Sequence, residues 1–272
     1  MDARPQLHDW LASRASRAEA ASSGRLACHV VDLVSGLRAG VHDDVVRPAA
    51  SVVKVPILIE LYARADAGEI DLDAVTVLRD ADKVGGAGVL LEMHAGLQPS
   101  WRDLGRLMTV VSDNTASNML IDRLGFDAVN ARMRDIGMAD SVLGRKFMID
   151  PNALHAKNFT TARDMAVCLA RLHRGELLSP SSTAEVIGIL KRQQYREKIP
   201  LLLPESLEVA HKTGEISHTR HDVAIVYAAR PYVLSCLTWD LTDVIAGDRA
   251  IASLSHDLHE EMEHGGFAGS AC

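Results

Sequence analysis

Ser51-Val52-Val53-Lys54 opens a predicted helix, and the three-residue spacing puts a hydroxyl and an ammonium on one face about one turn apart. A serine hydroxyl is a weak nucleophile until a neighbour takes its proton. A lysine takes one only when burial or nearby positive charge pulls it from about 10.4 towards 7. Val52, Val53, Val55 and Ile57 supply apolar surroundings for that shift. The helix start adds free backbone N–H groups and the positive end of the dipole, which favour an oxyanion beside Ser51. Pro56 falls early enough in the helix to be tolerated. The chemistry these residues suit is nucleophilic attack on a carbonyl, but a four-residue pattern of this kind arises by chance on the order of once per chain.

Two further elements give the pattern weight. Ser112-Asp113-Asn114 follows the helical run Leu104 to Val111, and Lys212-Thr213-Gly214 ends a short predicted strand. S-x-x-K, S-D-N and K-T-G, in that order, are the set shared by class A β-lactamases and penicillin-binding proteins. The flanking residues extend the likeness: Ala50-Ser51-Val52-Val53-Lys54-Val55-Pro56, Val111-Ser112-Asp113-Asn114-Thr115-Ala116-Ser117-Asn118, and Thr160-Thr161-Ala162-Arg163-Asp164-Met165. The chain therefore resembles the class A serine β-lactamases over nearly its whole length.

That resemblance implies Ser51 as the acylated nucleophile, Lys54 as its proton partner and Ser112 as a proton relay to the leaving nitrogen. It implies Asn114 as a holder of the substrate's amide side chain, and Lys212 and Thr213 as partners of its carboxylate. Gly214 admits close approach of backbone and ligand. The implied oxyanion hole is the backbone N–H of Ser51 with that of Glu215. Arg220 is either a second cation for the carboxylate or an ordinary solvated arginine. One part of the family pattern is missing. Where class A enzymes carry a loop glutamate that activates the deacylating water, this chain reads Arg145-Lys146-Phe147-Met148-Ile149-Asp150-Pro151-Asn152-Ala153-Leu154-His155. Asp150 is the nearest substitute; an Asp-Pro turn is the alternative reading, and Lys54 or His155 are other conceivable bases.

Rival sites are weaker. His259 and His264, five apart, fall on different helix faces, unlike H-E-x-x-H, and read as a solvated face. His211, His218 and His221 read as hydrogen-bonded or exposed imidazoles. Gly85-Gly86-Ala87-Gly88 lacks the spacing of a nucleotide loop and reads as a flexible turn. No G-x-S-x-G elbow occurs. No cofactor or metal is expected.

The elements that must position these residues follow from periodicity. A helix spans residues 7 to 20, with Leu7, Trp10, Leu11 and Ala18 near helical spacing. Arg25 to Leu33 and Leu37 to Val41 suit a hairpin. From Ala49 to about Leu190 the runs are helical: Val52 to Arg64, Trp101 to Val111, Ala116 to Arg123, Asp127 to Ile136 and Thr161 to Arg171. Strand signals return at Leu207 to His211, Val223 to Ala228 and Tyr232 to Trp239, and Ile245 to Glu263 closes as a helix. Strands at both ends that are apolar without alternation require a sheet covered on both faces. The expected fold is α/β: an antiparallel sheet flanked by the terminal helices, formed by residues 1–45 and 195–272. An all-helical domain, 46–194, is inserted, with the active site in the cleft between the two.

Composition bounds the partners. The chain has 272 residues, with 29 Lys plus Arg against 36 Asp plus Glu, a formal net charge of −7. No general positive field gathers nucleic acid or coats an anionic membrane, and the partner expected is a small molecule, a β-lactam or related amide or ester. The oligomeric state is not specified. No apolar run reaches the roughly 18 residues of a spanning helix. The first thirty residues lack the pattern of a secretory signal, so the expected location is the cytoplasm, or the exterior if the chain is a trimmed mature form. Cys28, Cys168, Cys236 and Cys272 form no C-x-x-C pair and read as reduced thiols. Three functions fit: a serine β-lactamase; an esterase, amidase, peptidase or acyl-transferase of the same fold; and a penicillin-binding sensor that is acylated without turnover.

Overall fold

The computed structural model describes residues 3–148, 157–264 and 267. Five strands form one antiparallel sheet: β1 (Arg25–Asp32), β2 (Arg38–Val41), β5 (Val209–Ile216), β6 (Thr219–Val226) and β7 (Tyr232–Trp239). Their order is β2-β1-β7-β6-β5, which leaves β5 at one edge. The chain's two ends therefore meet at the β1–β7 ladder, where Arg25 pairs with Trp239 and Asp32 with Tyr232.

Alternate residues of the strands feed different core layers. Leu26, Cys28 and Val30 of β1, with Leu234 and Cys236 of β7, pack under α1 (Ala3–Ser22) and α8 (Val244–Glu263). Leu7, Leu11, Ala15 and Ala18 form the buried stripe of α1, as its periodicity requires. Ala27 and Val31 of β1, with Val233 and Leu237 of β7, face the other way. They share one continuous apolar layer with α2 (Lys54–Asp66), α4 (Asn114–Leu124) and α6 (Ala162–His173). The expected α/β architecture, an antiparallel sheet with flanking helices, is the one found.

The remaining helices are α3 (Trp101–Val110), α5 (Phe126–Ile136) and α7 (Pro180–Lys191). α3 begins at a capping box in which Ser100 and Asp103 satisfy one another's backbone N–H groups. α7 begins with Ser179 as N-cap and Pro180 in the first turn. Two short strands, β3 (Arg47–Pro48) and β4 (Phe159–Thr160), pair with one another, so the stretch expected to be helical throughout contains a two-residue ladder. Inside it, α2 and α4 are wrapped on all sides: Lys54 to Tyr62 and Asn114 to Ile121 are buried without interruption. Both helices thus begin with a polar group held deep in the protein, the first requirement of a preorganised site.

The third strand signal differs in extent from its expectation. β5 runs on through Lys212-Thr213-Gly214 to Ile216, pairing Lys212 with Val223 and Glu215 with Arg220 of β6. Polar side chains from His211 to Glu215 mask a strand that its neighbour nonetheless holds in register.

Candidate active site

Ser51 lies in a tight 3-10 turn, Ala50–Val53, that leads directly into α2. The turn stands against β5. A Cβ on Gly214 would lie 3.1 Å from the Ser51 backbone nitrogen and 3.1 Å from Ala50 Cβ, so glycine here is what lets the strand approach the serine's N–H.

Lys54, one turn further on, is fully buried. Its three ammonium hydrogens meet three acceptors: Ser112 O at 2.7 Å, Ser112 Oγ at 3.1 Å and Asn114 Oδ1 at 2.8 Å. The ring centroid of Phe147 lies 4.4 Å from Nζ. None of the described hydrogen bonds of Lys54 goes to Ser51, because Ser112 and Asn114 take all three. Burial, aided by the charge of Lys212 and opposed by Asp113, holds Lys54 well below the usual lysine range.

Ser112 is a buried non-glycine residue with φ of +55°, a conformation that strains an L side chain. The strain has a local use: it turns both its carbonyl and its hydroxyl onto Lys54. Lys212, reaching across from β5, donates to the same hydroxyl at 3.1 Å and to Thr213 O at 2.8 Å. Two ammonium donors thus occupy both lone pairs of Ser112 Oγ, and its own hydrogen is left to point elsewhere. Burial pulls Lys212 down to about 7, with Lys198 adding to the shift and Asp222 and Glu215 opposing it.

Asp113 and Asn114 fasten a loop against this cluster. Asp113 caps α4 through Ala116 N and also accepts from Val89 N and Leu90 N. Asn114 Nδ2 donates to Gly85 O, and its backbone N–H to Ala87 O. Gly86 and Gly88 have φ of +87° and +111°, and a Cβ on Gly88 would fall 2.3 Å from Asp113 Cγ. Gly85 to Gly88 is therefore a wall tied to the S-D-N element rather than a free turn. Asn118 clamps the Phe147 backbone, its Nδ2 donating to Phe147 O at 2.9 Å and its Oδ1 accepting from Phe147 N–H at 2.8 Å, which sets the ring over Lys54.

The other expected residues divide. Thr213 is buried on β5 beside Lys212. The Glu215 side chain turns to Lys198, whose Nζ donates at 2.6 Å and lies 3.4 Å from Asp248. Burial pulls Lys198 down, yet Glu215 and Asp248 outweigh it and hold the lysine above its ordinary value. The Arg220 guanidinium is part-buried: it donates to Thr219 O at 2.9 Å and to Ile216 O at 3.3 Å and lies 3.6 Å from Asp248. Asp150 and His155 lie outside the described residues.

The histidines have their own partners. His211 Nδ1 lies 3.0 Å from Asp222 Oδ1 in a fully buried pair. His218 Nδ1 lies 2.9 Å from Leu241 O. His221 is lowered to about 4 by burial, and the neutral ring bridges Pro48 O and Thr238 N. His259, on α8, is buried rather than solvated; only His264 of that pair is exposed.

Sequence reasoning missed Lys198, Phe147, Asn118 and the glycine wall. A cluster of glycines was the visible signal for the last. A lone Lys, Phe or Asn gives none until the fold brings it in.

A serine at a helix-start turn, two buried lysines converging on a second serine, and a strand edge pressed against the first serine's N–H define a serine hydrolase of the acyl-enzyme type. The family model of the β-lactamase enzyme family matches residues 10–262, and the chain belongs to that family. β-Lactamase L2 of Stenotrophomonas maltophilia is 30% identical over 228 residues, covering 80% of this chain and 74% of that protein. The crystal structure of a β-lactamase from Sphaerobacter thermophilus superposes with a TM-score of 0.87 at 34% identity, covering 94% of this chain and 97% of that one. A point mutant of PBP-A, solved as an acyl-enzyme complex with penicillin G, gives 0.84 at 27% identity, over 93% and 97% of the two chains. The protein is a β-lactamase-like serine hydrolase.

Proposed function

We propose that the chain hydrolyses the amide of a β-lactam through an acyl-Ser51 intermediate. The observation that carries this reading is the Ser112 hydroxyl suspended between Lys54 and Lys212, each at 3.1 Å. Ser51 Oγ attacks the carbonyl carbon while its proton passes to Lys54, which burial holds well below the usual lysine range. The developing oxyanion meets the N–H groups of Ser51 and Glu215; losing one such donor typically costs about a hundred- to a thousand-fold in rate. Ser112 delivers a proton to the leaving nitrogen and is recharged through the lysines. The substrate carboxylate binds Lys212 and Thr213. Asn114 Nδ2 keeps one hydrogen on Gly85 O and offers the other to the substrate's side-chain amide.

Water must then release the acyl group. No glutamate stands between Arg145 and His155, and Asp150 is the nearest carboxylate in sequence. General acid–base help worth roughly a hundred- to ten-thousand-fold is weakened in this step, which favours slow deacylation and keeps an acylated, non-turning-over role as the second reading. Intact-protein mass spectrometry after mixing with a chromogenic cephalosporin tests both. A transient adduct with colour change, abolished in Ser51→Ala, is the expected result. A persistent adduct selects the second reading, and no adduct at all overturns the β-lactam assignment in favour of another carbonyl substrate.

A further inference from the structure

The sheet face beneath α1 and α8 carries two thiols in direct opposition. Cys28 of β1 and Cys236 of β7 are partners in the antiparallel ladder, both fully buried and both in the same apolar layer. Directly opposed residues of such a ladder have Cα atoms about 4.5–5.5 Å apart, side chains on one side. A disulfide spans about 4.4–6.8 Å between Cα atoms. Cys168, by contrast, sits on α6 in the layer across the sheet. The pair plays no part in the site around Ser51.

We propose that Cys28 and Cys236 are a covalent modification site: a dithiol that a low-molecular-weight disulfide oxidises to an internal disulfide joining β1 to β7. One cysteine thiolate attacks the oxidant's S–S bond and expels one thiolate. The second cysteine thiolate then attacks the mixed disulfide, forming the Cys28–Cys236 bond and expelling the other. Two protein thiols lose two protons and two electrons, and the oxidant becomes two thiols. Burial pushes the Cys28 thiol up to about 12 and Cys236 well above its ordinary value, so the folded dithiol holds almost no thiolate. The bond therefore forms while the β1–β7 ladder is still uncovered, during folding. An oxidising compartment closes the pair; a glutathione-reducing one leaves two core thiols.

The position gives the bond its effect. β1 and β7 are where the two ends of the chain meet, so the link encloses every residue from 29 to 235, including the whole site. A long enclosed loop is where the chain-entropy model assigns a large stabilisation.

The test is refolding of the full chain from denaturant in mixed oxidised and reduced glutathione, followed by acid quench, unfolding and alkylation. Two of the four cysteines escape alkylation, a non-reducing peptide map shows Cys28 joined to Cys236, and Tm exceeds that of the dithiothreitol-treated protein by at least about 5 °C. Cys28→Ala removes both the link and the shift. Alkylation of all four thiols, stable glutathione adducts at these positions, or a link through Cys168 or Cys272 overturns the proposal. The mass readout on unaltered protein stands even if the variant folds poorly.

Discussion

Replacing Lys212 by methionine separates the burden this side chain places on the fold from its use in the chemistry. Lys212 is fully buried and titrates at about 7 instead of 10.5. Its folded value is depressed, so the unfolded chain binds the extra proton between about 7 and 10.5, and stability rises with pH across that window. Below about 7 the charged, buried ammonium exerts its full destabilising effect, on the order of 5 kcal/mol from the shift alone. Two hydrogen bonds, to Ser112 Oγ and Thr213 O, offset roughly 2–3 kcal/mol of any gain from removing it. Lys212→Met is therefore expected to be more stable than the parent by roughly 2 kcal/mol at pH 6, to lose about 2 kcal/mol of that advantage between pH 7 and 9, and to be inactive towards anionic substrates. Urea titrations of both proteins at pH 6, 7, 8 and 9 measure the difference. A stability difference that does not change with pH, or that widens as pH rises, refutes the assignment of a desolvated lysine here.

Three other perturbations probe the same framework. Asp113→Ala strips the acceptor from Ala116 N, Val89 N and Leu90 N; calorimetry is expected to show a loss of about 3 kcal/mol or more, and a loss under roughly 1 kcal/mol contradicts the described bonds. Gly88→Ala forces a Cβ into Asp113 at a positive φ, so activity falls at least about tenfold and Tm drops, by a cost of roughly 2–4 kcal/mol. The pH profile of kcat/KM for an anionic β-lactam is expected to rise as Lys54 loses its proton and to fall above about 7 as Lys212 loses its charge. An uncharged ester substrate keeps the rising limb and lacks the Lys212 limb; an identical fall for both substrates contradicts carboxylate binding at Lys212.

The three short motifs were readable in the sequence because nucleophile, relay and carboxylate partner each fall within a run of three or four residues. α1 was readable from its apolar periodicity, and β1 and β7 from continuous apolar runs that answer to burial on both faces. β5 was only half visible. Its polar residues, His211, Lys212 and Thr213, are buried, and His211 and Lys212 meet Asp222 and Ser112 of other elements, which a local pattern cannot supply. α7 escaped individual notice although Ser179 and Pro180 announce its start, since its helix mixes Ser and Thr with apolar residues. Lys198 gave no signal at all. Its meaning lies in Glu215, 17 residues on, and Asp248, 50 residues on.

As the last strand of the sheet, β5 pairs along β6 alone among the described strands, and at Gly214 it stands against the Ser51 turn. A wall built on the outermost member of a sheet can shift by tenths of an ångström without unzipping anything beyond it. Remodelling for bulkier or slimmer substrates is therefore least disruptive at the side chains of positions 215 and 216, the exposed end of β5, whereas equal changes in β7 would propagate to two neighbours at once.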